Sequence, residues 1–259
     1  MNLKTTTAGL ASRLIGLIYS TFAYLVFLLT VLYLIGFLGR MVVPKNIDDG
    51  IVINSWSAAL INLSLLLLFA LQHTVMARQG FKSWLTRYIP TAVERSTYVL
   101  LSSLVLMLMF WLWQPMPAPV WTVEASLLRV IVSAIFWLGW GLVLVATLLI
   151  SHFELFGLRQ AIDRYRNAVP RAHAFKTPWL YKRVRHPLYL GFLIVFWATP
   201  DMSAGRLLFA LGMSAYLFIG AHFEERDLVA LFGQQYRCYQ KSVGMVLPKF
   251  GSGIGGKKR

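Results

Sequence analysis

Hydrophobic residues along the chain fall into six blocks, at Leu14–Leu38, Ile51–His73, Ser96–Trp113, Leu127–Ile150, Tyr189–Thr199 and Leu207–His222. Within each block they run continuously rather than alternating, which predicts helices and not the strands of a membrane barrel. The first four blocks approach or exceed the roughly 20 residues that carry a helix across a bilayer. The last two are shorter and are joined by Pro200-Asp201-Met202-Ser203-Ala204-Gly205, which predicts a tight helical hairpin. Gln114-Pro115-Met116-Pro117-Ala118-Pro119 reads as a rigid connecting turn. The expectation is an all-α integral membrane protein of six spans. It forms one domain over residues 1–250, with a flexible basic tail at 251–259. The first apolar run is too long for the core of a signal peptide and lacks a small-residue cleavage site, so it is expected to stay in place as a span.

Composition sharpens this picture. Hydrophobic residues make up 58% of the 259, charged residues only 14%, against roughly 25% in soluble domains. The net charge of +15 suggests nucleic acid until the basic residues are placed. In a six-span topology, all of the 25 Lys and Arg except Arg40, Lys45, Arg129 and Arg206 fall on one side. That is the positive-inside pattern, with both termini cytoplasmic and the basic loops facing anionic membrane lipids. Five spans would put either the tail or the long basic loop outside. No basic-aromatic module suited to nucleic acid is present. The single cysteine, Cys238, excludes an internal disulfide and a Cys-based zinc site, and the histidines lack metal-ligand spacing.

The inner side carries the chemistry. Gln72-His73-Thr74 ends the second span, and a lone His at a helix end is more often a cap than a catalytic group. His152-Phe153-Glu154-Leu155-Phe156-Gly157-Leu158-Arg159-Gln160 mixes ionisable and aromatic groups where the chain leaves the membrane, a costly placement for anything unpaired. Arg185-His186-Pro187-Leu188-Tyr189-Leu190-Gly191 places Pro187 to open a helix whose N-terminus suits a carboxylate or phosphate. Gly191 there allows another backbone to come close. Glu224 and Glu225 follow the last apolar block and need a cationic partner: Arg185, Arg226, Arg237 or a ligand. Leu228, Leu231 and Phe232 then suggest a surface helix stopped by Gly233, with Tyr236, Arg237 and Tyr239 on a second short helix. Folding residues 192–222 back on themselves brings the two ionisable runs to one membrane face, as a polar pocket sized for a nucleotide.

Arg185-His186-Pro187-x-Tyr189-x-Gly191, Glu224-Glu225-x-x-Leu228, Phe232-Gly233-x-x-Tyr236-x-x-Tyr239 and Leu247-Pro248 resemble the isoprenylcysteine carboxyl methyltransferase superfamily of membrane methyltransferases. Val243-Gly244 stands where relatives often have Val-Pro. Gln72 to Arg78, Glu94 to Tyr98, His152 to Gln160 and Phe196 to Pro200 are similar to one branch, the bacterial methanethiol S-methyltransferases. The resemblance implies a bacterial inner-membrane enzyme that moves a methyl group from S-adenosyl-L-methionine to methanethiol, giving dimethyl sulfide and S-adenosyl-L-homocysteine. It further implies that Arg185, His186, Pro187, Tyr189, Gly191, Glu224, Glu225, Tyr236 and Arg237, within residues 176–250, line the cofactor site. A thiolate is the competent nucleophile, so a base near neutrality helps, and His73, His152 and His186 are the candidates. Three rival expectations stand beside this one: a methyltransferase of an isoprenoid or lipid thiol or carboxylate, an NADPH-dependent membrane reductase, and a small permease or sensor.

Overall fold

A computed structural model describes residues 3–168 and 175–249. In chain order the helices are α1 (Leu3–Gly39), α2 (Ser55–Ala77), α3 (Gln79–Leu85), α4 (Thr91–Leu112), α5 (Ser126–Ile150), α6 (His152–Leu155), α7 (Leu158–Tyr165), α8 (Pro187–Trp197), α9 (Ala204–Phe232) and α10 (Gln234–Ser242). A 3-10 turn, Trp179–Lys182, precedes α8, and two short strands, β1 (Pro119–Thr122) and β2 (Asp201–Ser203), complete the description. The basic tail at 251–259 and Arg171 lie outside the described residues.

Among the described residues, five helices are long and apolar enough to cross a membrane: Gly9–Gly39, Ser55–Ala77, Thr91–Leu112, Ser126–Ile150 and Ala204–Phe232. The chain is therefore an all-α integral membrane protein. Large apolar side chains such as Ile15, Ile18, Leu29, Leu60, Leu127 and Leu138 are exposed on these helices, as lipid-facing positions must be, since hydrocarbon takes the place of a protein core around them.

The last two apolar blocks, expected as a short helical hairpin, form two helices of very different length. α8 has 11 residues, about 16 Å at 1.5 Å per residue, roughly half the hydrocarbon thickness. α9 has 29 residues and absorbs both the last apolar block and the separate surface helix expected after it. Between His222 and Phe232 no Gly or Pro interrupts the helix, and it stops at Gly233, where φ is 56°. The link expected to be a plain hairpin turn contains β2, which pairs antiparallel with β1 through Pro119–Ser203, Trp121–Met202 and Thr122–Asp201.

The described chain forms two compact units. The first comprises Met1–Thr122, Ser151–Ala172 and Asp201–Met213. In it α1 packs on α4 and α7, and α2 packs on α4. Asn54 caps α2 by accepting from the amides of Trp56 and Ser57. Hydroxyls are paired between helices: buried Ser96 donates to buried Ser20, and half-buried Tyr19 to Thr97. One end of the unit is filled by Phe37, Phe110, Trp113 and Phe209 in mutual edge and tilted contacts. There the buried Arg206 donates to the carbonyl of Leu38 near the end of α1, where helix carbonyls lack internal partners.

The second unit comprises Val123–Ile150, His173–Pro200 and Ser214–Arg259. Its main pairing is α5 on α8, held close by glycines. A Cβ on Gly191 would stand 2.8 Å from Val143 Cγ2 and 3.0 Å from the carbonyl oxygen of Gly139. The close backbone approach expected at Gly191 is thus made by α5, in the small-residue manner of membrane helix pairs.

Candidate active site

Backbone pairing fixes the first motif of the second unit. The amide of Arg185 donates to the carbonyl of Gly244 (2.8 Å) and that of His186 to Met245 (2.9 Å). This leaves residues 184–186 extended beside the segment that follows α10. Pro187 then opens α8 as its first helical residue, with His186 at the cap position, because proline's fixed φ and missing N–H suit that place. On α9, Glu224 and Glu225 arrive as neighbours.

The two acids are used differently. Glu225 is 12% exposed and fully engaged. Its Oε1 accepts from Arg185 Nε at 2.6 Å and His186 Nε2 at 3.1 Å, and its Oε2 accepts from Gln240 Nε2 at 2.8 Å. A carboxylate only accepts, so His186 Nε2 carries the proton in this bond. Arg185, 10% exposed, also donates through Nη1 to the carbonyls of Gln240 (3.0 Å) and Val243. Glu224 is 47% exposed. Its Oε2 accepts from the Tyr189 hydroxyl at 2.6 Å and lies 3.6 Å from His186 Nδ1. The rings of His186 and Tyr189 stack, 5.0 Å apart and 6° from parallel. Of the cations weighed for the acids, Arg185 is the one in place.

On α10 the spacing of Tyr236, Tyr239 and Gln240 turns one face inward. Tyr236 is buried, and Phe175 contacts Phe232, Tyr236 and Tyr239. Burial, reinforced by Glu225 and Glu224, pushes the Tyr236 hydroxyl well above its ordinary range. Burial also raises that of Tyr239, to about 12, and Tyr239 donates to the carbonyl of Tyr181. Arg237 points elsewhere on the helix and lines a surface depression with Gln234, Gln240, Lys241 and Lys249. Gln240 was not among the sequence candidates. Its spacing from Tyr236 was the available signal.

His73 and His152 belong to the first unit, where one aromatic cluster takes both. His152 Nε2 and the Tyr24 hydroxyl are 2.8 Å apart, and the His152 ring meets Phe153 and Phe156 edge-on. Phe156 stacks on Phe27 at 3.9 Å, and both pack against buried Met76, Tyr98 and Val99. His73 meets Tyr98 edge-on at 4.8 Å. Arg95 donates to the carbonyl of Leu155 at 2.8 Å. Gly157, at φ 87°, brings the α6–α7 turn so close to α4 that a Cβ would lie 2.6 Å from the Ser96 nitrogen. Burial lowers the pKa of His152, favouring the neutral ring.

Comparison with known proteins places the chain as a whole. No protein-family model matches the chain, and no solved structure matches it. The chain is 57% identical over 239 residues to a methanethiol S-methyltransferase of Pseudomonas sp. (strain GM41(2012)), covering 92% of each. It is 50% identical over 236 residues to a methanethiol S-methyltransferase of Mycobacterium tuberculosis, covering 91% of this chain and 97% of the relative. A more distant relative, nurim of Sus scrofa, is 32% identical over 188 residues, 68% of this chain and 70% of that protein. With such identity over nearly the whole of both chains, the protein belongs to the methanethiol S-methyltransferase family.

Proposed function

We propose that this protein transfers a methyl group from S-adenosyl-L-methionine to the sulfur of methanethiol, releasing dimethyl sulfide and S-adenosyl-L-homocysteine. The observation that carries this is identity of 50–57% with methanethiol S-methyltransferases over nine-tenths of the chain. The protein works in a bacterial inner membrane, and with the short α8 counted as a sixth crossing both termini lie in the cytoplasm, as its basic loops favour.

The residues of the second unit fit such a cofactor. Its sulfonium supplies an activated methyl group, and its ammonium and ribose hydroxyls are groups that a half-exposed carboxylate binds. Glu224 is that carboxylate, oriented by Tyr189 and His186. Glu225 is the wrong choice for direct binding, because both its oxygens are spent on Arg185, His186 and Gln240. Arg185 serves as the tie between α9 and the segment after α10. The start of α8 offers the backbone N–H groups of Leu188 and Tyr189 and the positive end of the helix to an anionic group. Tyr236 supports the pocket from α10, Arg237 adds positive charge on the same helix, and Gly191 lets α8 seat against α5. His186, donating to Glu225, is assigned to binding, which leaves the proton chemistry to His152 or His73. Catalysis is then mainly a matter of holding the thiol sulfur in line with the methyl carbon.

The test is a headspace assay on detergent-purified protein given methyl-labelled S-adenosyl-L-methionine and methanethiol. Labelled dimethyl sulfide is expected. Absence of product, together with a melting shift by NADPH and none by S-adenosyl-L-methionine, would overturn the proposal.

A further inference from the structure

The first unit holds a pair that the sequence motifs did not contain. Tyr24 lies in the middle of α1, 128 positions from His152, yet its hydroxyl is 2.8 Å from His152 Nε2. The pair sits in an apolar, sulfur-tolerant setting. Tyr24 is 6.1 Å from Phe27, 5.8 Å from Phe153 and 6.5 Å from Phe156, centroid to centroid, and Met76 belongs to the adjoining cluster. Divalent sulfur packs well against ring edges. Phe153 is half exposed, so the cluster opens to a small apolar molecule dissolved in the membrane.

We propose that Tyr24, Phe27, His152 and Phe156 form the binding site for a small alkyl thiol, and that Tyr24 relays the thiol's proton to His152. This rests on the methyl-transfer reading above. The thiol S–H bond breaks as its proton passes to the Tyr24 oxygen, while the Tyr24 proton passes to His152 Nε2. A thiolate and an imidazolium result. The thiolate is the form competent to accept a methyl group. The imidazolium returns its proton to water. A neutral His152, already 2.8 Å from the Tyr24 hydroxyl, has a ring nitrogen placed to take the proton, and the ion pair keeps the thiolate company in a setting that disfavours isolated charge.

Several other charged and titratable groups of the surrounding elements have partners of their own. Arg95 of α4 is held on the Leu155 carbonyl and over the Tyr98 ring. His73 of α2 lies against Tyr98, and Tyr19 of α1 donates to Thr97. Arg159 and Asp163 pair within α7. Glu154 shares the α6 turn, where its backbone carbonyl accepts from Gln160.

The experiment compares the full chain with Tyr24→Phe and His152→Gln in detergent. It reads kcat and KM for methanethiol from pH 6 to 10, S-adenosyl-L-methionine affinity by calorimetry, and binding of 13C-methanethiol by NMR without cofactor. At pH 7 both variants are expected to lose about 100-fold in kcat/KM, the usual worth of a placed acid or base. The deficit should shrink at least tenfold towards pH 10, where solution itself supplies thiolate, and cofactor affinity should not change. Phe27→Ala is expected to weaken 13C-methanethiol binding without cofactor. An equal loss at every pH, an unchanged rate, or unchanged thiol binding in Phe27→Ala would overturn the site. A parent protein that binds 13C-methanethiol at these residues but makes no dimethyl sulfide would instead sink the methyl-transfer reading and leave the thiol site standing.

Discussion

The two units solve opposite problems of recognition. In the second, carboxylates, a guanidinium, an imidazole and a phenol meet within 2.6–3.6 Å of one another, and the charges of Arg185 and Glu225 answer each other. In the first, His152 and His73 lie among aromatic rings beside a thioether, and His152 Nε2 is 2.8 Å from the Tyr24 hydroxyl. A charged cofactor with many hydrogen-bonding groups needs the first kind of surface. A one-carbon thiol offers a sulfur and a methyl group and little else, so apolar contact and proton transfer are all that a protein can use on it. On the proposed reading, the contrast teaches that binding strength and reactivity call for different chemistry in different parts of this chain.

The largest effect that would break the contrast is loss of the buried tie. Glu225→Ala leaves the Arg185 guanidinium without its carboxylate, which should cost about 3 kcal/mol or more. It should lower Tm sharply in detergent and abolish cofactor binding. Unchanged Tm would show that Glu225 is not the tie. Next, Phe156→Ala removes the stack on Phe27 and should cost about 2 kcal/mol for a partly buried ring. Its KM for the thiol should rise while calorimetry finds cofactor affinity intact; a fall in cofactor affinity would erase the division of labour. Glu224→Gln should weaken S-adenosyl-L-methionine binding about 10- to 100-fold, the worth of a charged hydrogen bond, with Tm essentially unmoved. If Tm falls as far as in Glu225→Ala, the two acids do one job rather than two.

The smallest effect is on alkaline stability. Tyr239 keeps its proton to about pH 12 in the folded protein, whereas an unfolded tyrosine loses it near pH 10. The folded state therefore binds the extra proton between those values, and stability falls as pH rises through that window. Tyr239→Phe should flatten the loss of Tm between pH 10 and 12; a parallel loss in both proteins would deny that the Tyr239–Tyr181 bond matters.

Much of the second unit was legible because its logic is local and chemical. Pro187 announces a helix start, adjacent acids demand a cation, and Gly191 signals a close backbone. Each of these follows from a residue's own chemistry, and Arg185 answered the demand of Glu225. What failed was anything set by how far a helix continues. The Glu224-Glu225-Arg226-Asp227 run looked like an exit from the membrane, but Glu225 is paired with Arg185 and Glu224 accepts from Tyr189, and α9 runs on to Gly233. α8 came out half as long as a span because Thr199-Pro200 and the pairing of β2 with β1 end it early. Tyr24 was hidden for another reason: inside a continuous apolar block, one tyrosine carries no periodic or charge signal, and only the distant arrival of His152 gives it a partner.

The strand-like pairing of residues 184–186 with 244–245 has a consequence for biosynthesis. The groups around Glu225 cannot be fixed in place until residue 245 has left the ribosome, long after the apolar helices have entered the bilayer. Insertion and catalytic competence are therefore separate events in the life of this chain, and a fusion joined close behind Met245 would be expected to insert normally yet never mature.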